Sequence, residues 1–292
     1  MVTIRRTWVQ FLLLLFPLCP AYGELFWELP PPLPQSMLSF DYGVDNADGW
    51  NRQFSTSLAG PMQLQFNLVY GESSVISDTA ELKTDTRVIG VATNPLAAFG
   101  MDLTYETWGS DGELTIDTLR LGFTFNAQNF SFSLMPQQRD IRLFTRPIFH
   151  HILSRVDVDG QDVGCRLVYY GLDGWALDAT YFHYGYSKDL SRLAEDFRAL
   201  FIFPLETLEL VSGLNSHLVS TDVTRYLPHG EIGFEWVSAT SAVDGGRLDL
   251  GALHGAYELT PAWMMRIQGG VQHVDYDEDT ILFLGMGLDY LW

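Results

Sequence analysis

Hydrophobic and polar residues alternate with a period of two along most of this 292-residue chain. In the segment 62–70, every second residue from Met62 to Tyr70 is apolar, and Gln63, Gln65 and Asn67 lie between them. The same pattern recurs at 99–106, 130–134 and 232–236. Because successive side chains of a strand point to opposite faces, this pattern predicts β-strands with one apolar face and one polar face.

Turn residues separate these periodic runs, and short links alternate with longer polar ones. The predicted strands lie near 37–44, 51–58, 62–70, 84–93, 99–108, 114–125, 129–137, 161–171, 175–186, 230–241, 247–259, 263–274 and 280–292. The segment 197–226 would hold one strand or three, because Pro204 and the mixed run after it obscure the period. We predict about 14 strands, within a range of about 12 to 16, since bacterial single-chain barrels have even numbers.

Two all-β architectures alternate in this way. A soluble β-sandwich would bury the apolar face between two sheets. Here the polar faces carry charges on many strands, the strands exceed the usual ~5 to 6 residues, and aromatic residues such as Tyr105 and Trp263 lie near strand ends. These features favour a transmembrane antiparallel up-and-down β-barrel, in which tilted strands of about 9 to 11 residues cross the lipid and closure leaves no unpaired edge.

Composition excludes several classes of protein. The 36 acidic and 17 basic residues give a formal charge of −19, which makes nucleic acid an unsuitable partner. After the first two dozen positions, no run reaches the ~20 apolar residues of a spanning helix. The two cysteines, Cys19 and Cys165, provide neither a disulfide framework nor a cysteine-based metal site.

The first residues have the pattern of an export signal. Residues 1–23 combine Arg5 and Arg6, an apolar stretch and the small-residue site Ala21-Tyr22-Gly23, so we expect cleavage before Glu24. A lipoprotein signal would need a small residue before Cys19, where Leu18 stands instead. Residues 24–36 are rich in proline and predict an extended periplasmic lead-in to a barrel spanning 37–292.

The last strand places alternate apolar residues on one face and ends on an aromatic residue. Two small residues, Gly285 and Gly287, lie on the other face and precede the aromatic residues Tyr290 and Trp292 at a fixed spacing. This ending resembles the C-terminal assembly signal of Gram-negative outer-membrane β-barrel proteins, and the resemblance covers nearly the whole mature chain. It implies an outer-membrane location, recognition by the barrel assembly machinery, and outer-membrane lipid and lipopolysaccharide as partners. It leaves open whether the protein is a monomer or a homo-oligomer.

Strand phase also predicts which charged residues face the interior. The predicted pore-lining residues are Asp102, Glu106, Arg120, Arg166, Asp178, Arg198, Glu231, Glu235 and Arg266, and the same phase places Asp41, Arg247 and Asp289 inward. A barrel of about 14 strands is wide enough for a water-filled passage. The charges would either pair across the lumen as solvated lining or create a transverse field that screens solutes.

One long link, about 136–161, gathers basic residues in an otherwise acidic protein. These residues are Arg139, Arg142, Arg146, His150, His151 and Arg155. Two hypotheses account for them. The link would fold inward as a constriction loop, as in the porins that this protein resembles, or it would stay outside and contact phosphates or carboxylates of lipopolysaccharide.

Three functions follow in order of preference. A porin-like channel for passive diffusion of small hydrophilic solutes is the first, and a structural or adhesive barrel without an open pore is the second. The third is a barrel lipid hydrolase, for which the sequence shows no Ser-His or Asp-His pairing and only scattered histidines. The acidic loops match no full calcium pattern, so the sequence predicts no catalytic residue, no metal site and no cofactor.

Overall fold

The computed structural model describes residues 36–76, 81–94, 97–110, 114–145, 154–171, 174–192, 214–275 and 280–292. The predicted signal peptide and all of the lead-in except Ser36 lie outside these residues. Arg198 lies outside them as well.

The described residues form one closed antiparallel barrel in which each strand pairs with its sequence neighbours and β1 pairs with β14. The strands are β1 (Met37–Asp45), β2 (Trp50–Ala59), β3 (Gln65–Ile76), β4 (Glu81–Ala92), β5 (Phe99–Ser110), β6 (Leu114–Ala127), β7 (Phe130–Thr145), β8 (Ser154–Tyr170), β9 (Trp175–Tyr186), β10 (Asn215–Leu227), β11 (Gly230–Ser241), β12 (Arg247–Thr260), β13 (Trp263–Val274) and β14 (Thr280–Leu291). The prediction of an all-β barrel of about 14 strands is confirmed. The ambiguous segment 197–226 contributes β10.

Two stretches differ most from the predicted boundaries, and the strand predicted at 62–70 also continues to Ile76. The long link expected at 136–161 is wrong for most of its length, because residues 136–145 continue β7 and residues 154–161 begin β8. The predicted strand at 62–70 begins only at Gln65, because Pro61–Gln63 forms a 3-10 turn. Met62 and Gln63 adopt positive φ angles of 58° and 60° there, which a strand does not allow.

The two ends of the barrel are unlike each other. One end, which we call the turn end, carries the chain entry at Met37, the end of β14 and short links such as Ala127–Phe130 and Leu227–Gly230. The other, the loop end, carries the links of more variable length, including Tyr186–Asn215. The predicted alternation of short and long connections is clear from β6 onward, whereas in the first half of the chain the turn-end links Ala59–Gln65 and Ala92–Phe99 are not shorter than the loop-end links. In outer-membrane barrels, the short turns face the periplasm and the longer loops face the outside.

The outward face of the barrel is apolar. On β14, exposed apolar side chains recur at every second position from Leu282 to Leu288, and Trp292 follows beyond the strand. About ten residues at about 3.4 Å each, tilted by about 45°, cover about 24 Å, which matches the height of the apolar band of outer-membrane barrels. Among the described residues, no helix is both long enough and apolar enough to cross a membrane.

A buried apolar cluster lies inside the loop end of the barrel. Its members are Leu114, Ile116, Ile141, Val158, Leu190, Leu214 and Val243. The first four point inward from β6, β7 and β8, whereas the last three come from the links that follow β9 and β11. These links therefore fold over the inner wall of β6–β8 and hold it in place by apolar burial.

Candidate functional site in the barrel interior

The interior face is defined by the register of the strands. The large exposed apolar residues of each strand share one face, except for Tyr170 and Tyr226 near the turn end, and the opposite face carries most of the polar and charged side chains. The predicted lining residues on this interior face are Asp102, Glu106, Arg120, Arg166, Asp178, Glu231, Glu235 and Arg266, together with Asp41 and Asp289. Arg247 lies on the outward phase beside Asp249, so its inward placement was wrong.

The structure gathers acidic side chains on one side of this interior. Asp178, Asp222 and Glu235 are register partners on three consecutive strands, β9, β10 and β11. Glu231 projects from the same face of β11, nearer the turn end. We call these four residues the acidic wall.

The opposite side of the interior is neutral and polar. In a closed barrel of this strand order, β3 lies directly across from β10. The interior positions on β2, β3 and β4 are mostly amides and hydroxyls: Asn51, Gln53, Ser55, Ser57, Gln65, Asn67, Ser73, Thr84 and Thr86. Several of them bond to one another, as in the 2.9 Å bond from the Ser57 hydroxyl to Asn67 Oδ1. The acidic wall therefore lies opposite a neutral side of the interior.

Arg266 joins the last strands to the first. Its Nε and Nη2 donate to the two carboxylate oxygens of Asp289 at 2.8 Å each, and Nη2 also lies 2.9 Å from Asp41 Oδ1. Gly287 pairs with both Asp41 and Arg266 across the two strand interfaces. A Cβ atom at Gly287 would lie 2.3 Å from Asp41 Oδ1, so the absent side chain makes room for this ion triad.

A second ion pair lies beneath the apolar cluster and is nearly inaccessible to solvent. Arg139 Nε donates to Asp162 Oδ2 at 2.5 Å, and the two side chains are 4% and 0% exposed. Gln137 Nε2 and the Gly185 backbone N–H also donate to Asp162, at 3.1 Å each. The guanidinium lies 4.4 Å from the Tyr184 ring centroid. Arg139 is therefore a fixed structural element of the inner wall, although the sequence assigned it to a loop.

The remaining interior arginines are more open. Arg166 Nε lies 2.8 Å and 3.0 Å from the two oxygens of Asp178, and 51% of its side chain is exposed. Arg120 is the register partner of Thr104, one interior position from Asp102 and one from Glu106. Three interior arginines thus occupy the consecutive strands β6, β7 and β8, between the acids of β5 and the acidic wall.

The structure also brings together a pair that the sequence did not reveal. His254 Nε2 on β12 lies 2.5 Å from Asp222 Oδ2 on β10, across the intervening strand. The contact passes over Gly233, where a Cβ atom would lie 2.4 Å from the imidazole. No Asp-His pairing stands out in the sequence, where these two residues are 32 positions apart. Only the register of three strands would have shown it.

The described basic residues of the 136–161 segment, Arg139, Arg142 and Arg155, do not lie together. Arg142 lies on the outward phase of β7 and forms a salt bridge with Asp117, while Arg155 bonds to Asp157 at 2.5 Å on β8. Arg139 points inward, as described above. Arg146, His150 and His151 lie outside the described residues. The roles proposed for this segment remain predictions.

The C-terminal residues are held in the barrel seam. Gly285 and Gly287 lie on the interior face, and the Tyr290 and Trp292 rings stack with their centroids 5.6 Å apart. The Trp292 backbone N–H donates to the Ser36 carbonyl at 3.1 Å. Their role as an assembly signal remains a prediction.

The described residues contain no cluster of three metal ligands. Within the described ranges, no group of three or more His, Cys, Asp or Glu side chains is arranged to hold a metal ion. Cys165 lies in β8, as predicted, with its side chain half-buried on the outward phase.

Solved structures share the fold of this chain. No protein-family model and no curated protein matches this chain. It is similar to a loop L8 deletion mutant of OmpT, an outer membrane protein of Vibrio cholerae, with a TM-score of 0.50 and 10% identity over 88% of this chain and 98% of that chain. It is similar to the Acinetobacter baumannii outer membrane protein Omp33, with a TM-score of 0.49 and 11% identity over 88% of this chain and 98% of that chain.

A third similar structure is the KdgM porin in complex with disordered oligogalacturonate, with a TM-score of 0.42 and 10% identity over 87% of this chain and 98% of that chain. The likeness to the OmpT variant shows a shared fold. The chain has the fold of outer-membrane β-barrel proteins, which confirms the class that its last strand predicted.

Proposed function

We propose that this protein is a porin-like channel of the Gram-negative outer membrane, exported by a cleaved signal peptide, that passes small hydrophilic solutes by passive diffusion. One observation carries the proposal: a closed barrel of this strand number combines an apolar outer band with a polar and ionic interior. Eight strands would leave room only for side chains, and the diameter of a barrel grows with the number of its strands.

The chemistry of the lining supports a preference for cations. Interior carboxylates outnumber interior guanidinium groups, and Arg139, Arg166 and Arg266 are already neutralised by carboxylate partners. The acidic wall has no basic counterpart across the barrel, where β2–β4 present amides and hydroxyls. Fixed negative charge on a pore wall raises the local concentration of cations and lowers that of anions.

Planar-bilayer recording of the refolded protein tests both statements. We expect discrete conductance steps and, in a salt gradient, a reversal potential displaced toward that of the cation. The double variant Glu231→Gln and Glu235→Gln should reduce this displacement, because it removes two interior charges. The matched control Asp140→Asn removes an outward carboxylate and should leave the displacement unchanged. Correctly folded protein that shows no steps would refute the channel.

A structural barrel with a closed interior is the second candidate, and the apolar cluster at the loop end favours it. Leu190, Leu214 and Val243 cover part of the inner wall there, and the 193–213 link lies outside the described residues. In this case, refolded protein would retain its β spectrum but remain electrically silent. Binding to vesicles that contain lipopolysaccharide would then identify the protein's external partner.

We propose transport rather than catalysis for the interior. Asp222 and His254 form a carboxylate–imidazole pair, but the neighbouring Thr224 hydroxyl donates to Asp222 instead of to the imidazole. An activated nucleophile would need the opposite arrangement, with its proton directed at the base. Phospholipid or lipid A hydrolysis that disappears in His254→Gln would refute this assignment.

A further inference from the structure

Two histidines meet on the outer surface of the barrel near its loop end. His183 on β9 and His217 on β10 are direct register partners, and both side chains are exposed. His183 follows the outward residues Leu177 and Tyr181 along β9, so the pair stands at the loop-end edge of the apolar band. In the sequence they are separated by 34 positions, and the fold brings them together.

The two imidazole rings converge on each other. The Nδ1 atoms of His183 and His217 are 3.3 Å apart, and the ring centroids are 4.9 Å apart with planes inclined by 32°. The Tyr181 hydroxyl oxygen lies 3.0 Å from Nδ1 of His217. The donor and acceptor roles of these ring nitrogens depend on the tautomers of the two histidines.

We propose that His183 and His217 form an outward-facing site for a borderline divalent transition metal, with Zn²⁺ as the model ion. Zinc binds imidazole nitrogen at about 2.0–2.1 Å, so two nitrogens at a tetrahedral angle are about 3.3 Å apart. The observed separation equals this value. The spacing of the two Nδ1 atoms therefore already suits a metal bound through both ligands.

The surroundings of the pair determine which ions it takes. The register neighbours beside the pair are Val163 on β8 and Thr240 on β11, which are neutral. Neutral imidazole suits zinc, copper and nickel, whereas Ca²⁺ and Mg²⁺ require several oxygen ligands. Two protein ligands leave coordination positions open toward the surrounding solution for water or an external anion. The site is thus an accessible cation site, distinct from the interior lining.

Calorimetric titration of the folded full-length protein in detergent micelles tests the site. We expect Zn²⁺ to bind to the wild type. Its affinity should fall by roughly 10²-fold in either His183→Asn or His217→Asn, because each variant leaves one imidazole ligand and loses the chelate effect of two. The control His229→Asn removes an exposed histidine at the turn end and should leave Zn²⁺ binding unchanged. Ca²⁺ should not compete at equal concentration.

Several results would overturn the proposal. Equal Zn²⁺ affinity in the wild type and in both pair variants, with circular dichroism showing intact barrels, would mean that the histidines only share a hydrogen bond. Competition by Ca²⁺ would assign the binding to carboxylates instead. His150 and His151 remain in every variant, so any binding that they contribute is constant. Visible absorption of bound Co²⁺ gives a second readout, and its loss in His217→Asn should parallel that of Zn²⁺.

Discussion

The buried ion pair of Arg139 and Asp162 supports a quantitative prediction about stability. Asp162→Asn preserves the shape of the side chain but leaves the guanidinium of Arg139 without its countercharge. Both side chains are almost entirely buried, so water compensates little. Breaking a buried pair in this way lowers the free energy of unfolding by about 3–5 kcal/mol.

The comparison variant uses the open pair of Arg166 and Asp178. Asp178→Asn removes a carboxylate of the same kind, but the arginine remains half in solvent and can be hydrated. Exposed pairs contribute about 0–1 kcal/mol. Urea unfolding of both variants in lipid vesicles, followed by tryptophan fluorescence, measures the difference. A loss for Asp162→Asn as small as that for Asp178→Asn would refute the inference that the Arg139 site excludes water.

Three further predictions concern the last two strands. Gly287→Ala should lower the free energy of unfolding by about 1–3 kcal/mol, because its Cβ would displace the Asp41 carboxylate from the ion triad. Met286→Arg, at an outward position that is 65% exposed, should lower it by about 2–4 kcal/mol in lipid, as expected for a cation near the bilayer midplane. Trp292→Ala should reduce the amount of folded barrel in the outer membrane of cells, while the purified variant still refolds in detergent.

Each of these predictions has a control on the same strands. Gly269→Ala adds a Cβ whose nearest neighbours lie at 3.5 Å, an ordinary contact, so it should be nearly neutral. Gln268→Arg places the same cation on the interior face and should cost much less than Met286→Arg. Trp263→Ala removes an aromatic residue of the same cluster, 4.8 Å from Tyr290, without changing the chain end. Equal effects of each variant and its control would contradict the three explanations.

The two-residue alternation of apolar and polar positions predicts the strands well where one face contacts lipid. The boundaries of β9 and β11 agree with the prediction, because lipid on one side and water on the other select alternate residue types. The prediction failed at 136–145, where β7 rises beyond the apolar band. Gln138 and Asp140 point outward there while Ile141 points inward into the apolar cluster, so the polar and apolar faces are reversed relative to the lipid-facing part of the strand.

Side-chain pairs between strands could not be predicted from the sequence for a different reason. Asp222 meets His254 only because of the registers of β10, β11 and β12, and His183 meets His217 only because β9 pairs with β10. Hydrophobic period assigns a residue to a face but not to a height along the barrel. The residue types of the interior were therefore predictable, whereas their partners were not.

The seam between β1 and β14 has a kinetic consequence. Residues such as Ser39 and Asp289 are neighbours in space but are encoded at opposite extremes of the chain. Contacts of such high sequence separation form late and slow folding. Until the final strand arrives, the nascent sheet has two unsatisfied borders that invite aggregation. Pairing of β14 with β1 covers both borders in a single step, so the sheet has no protected edge until its last strand is in place.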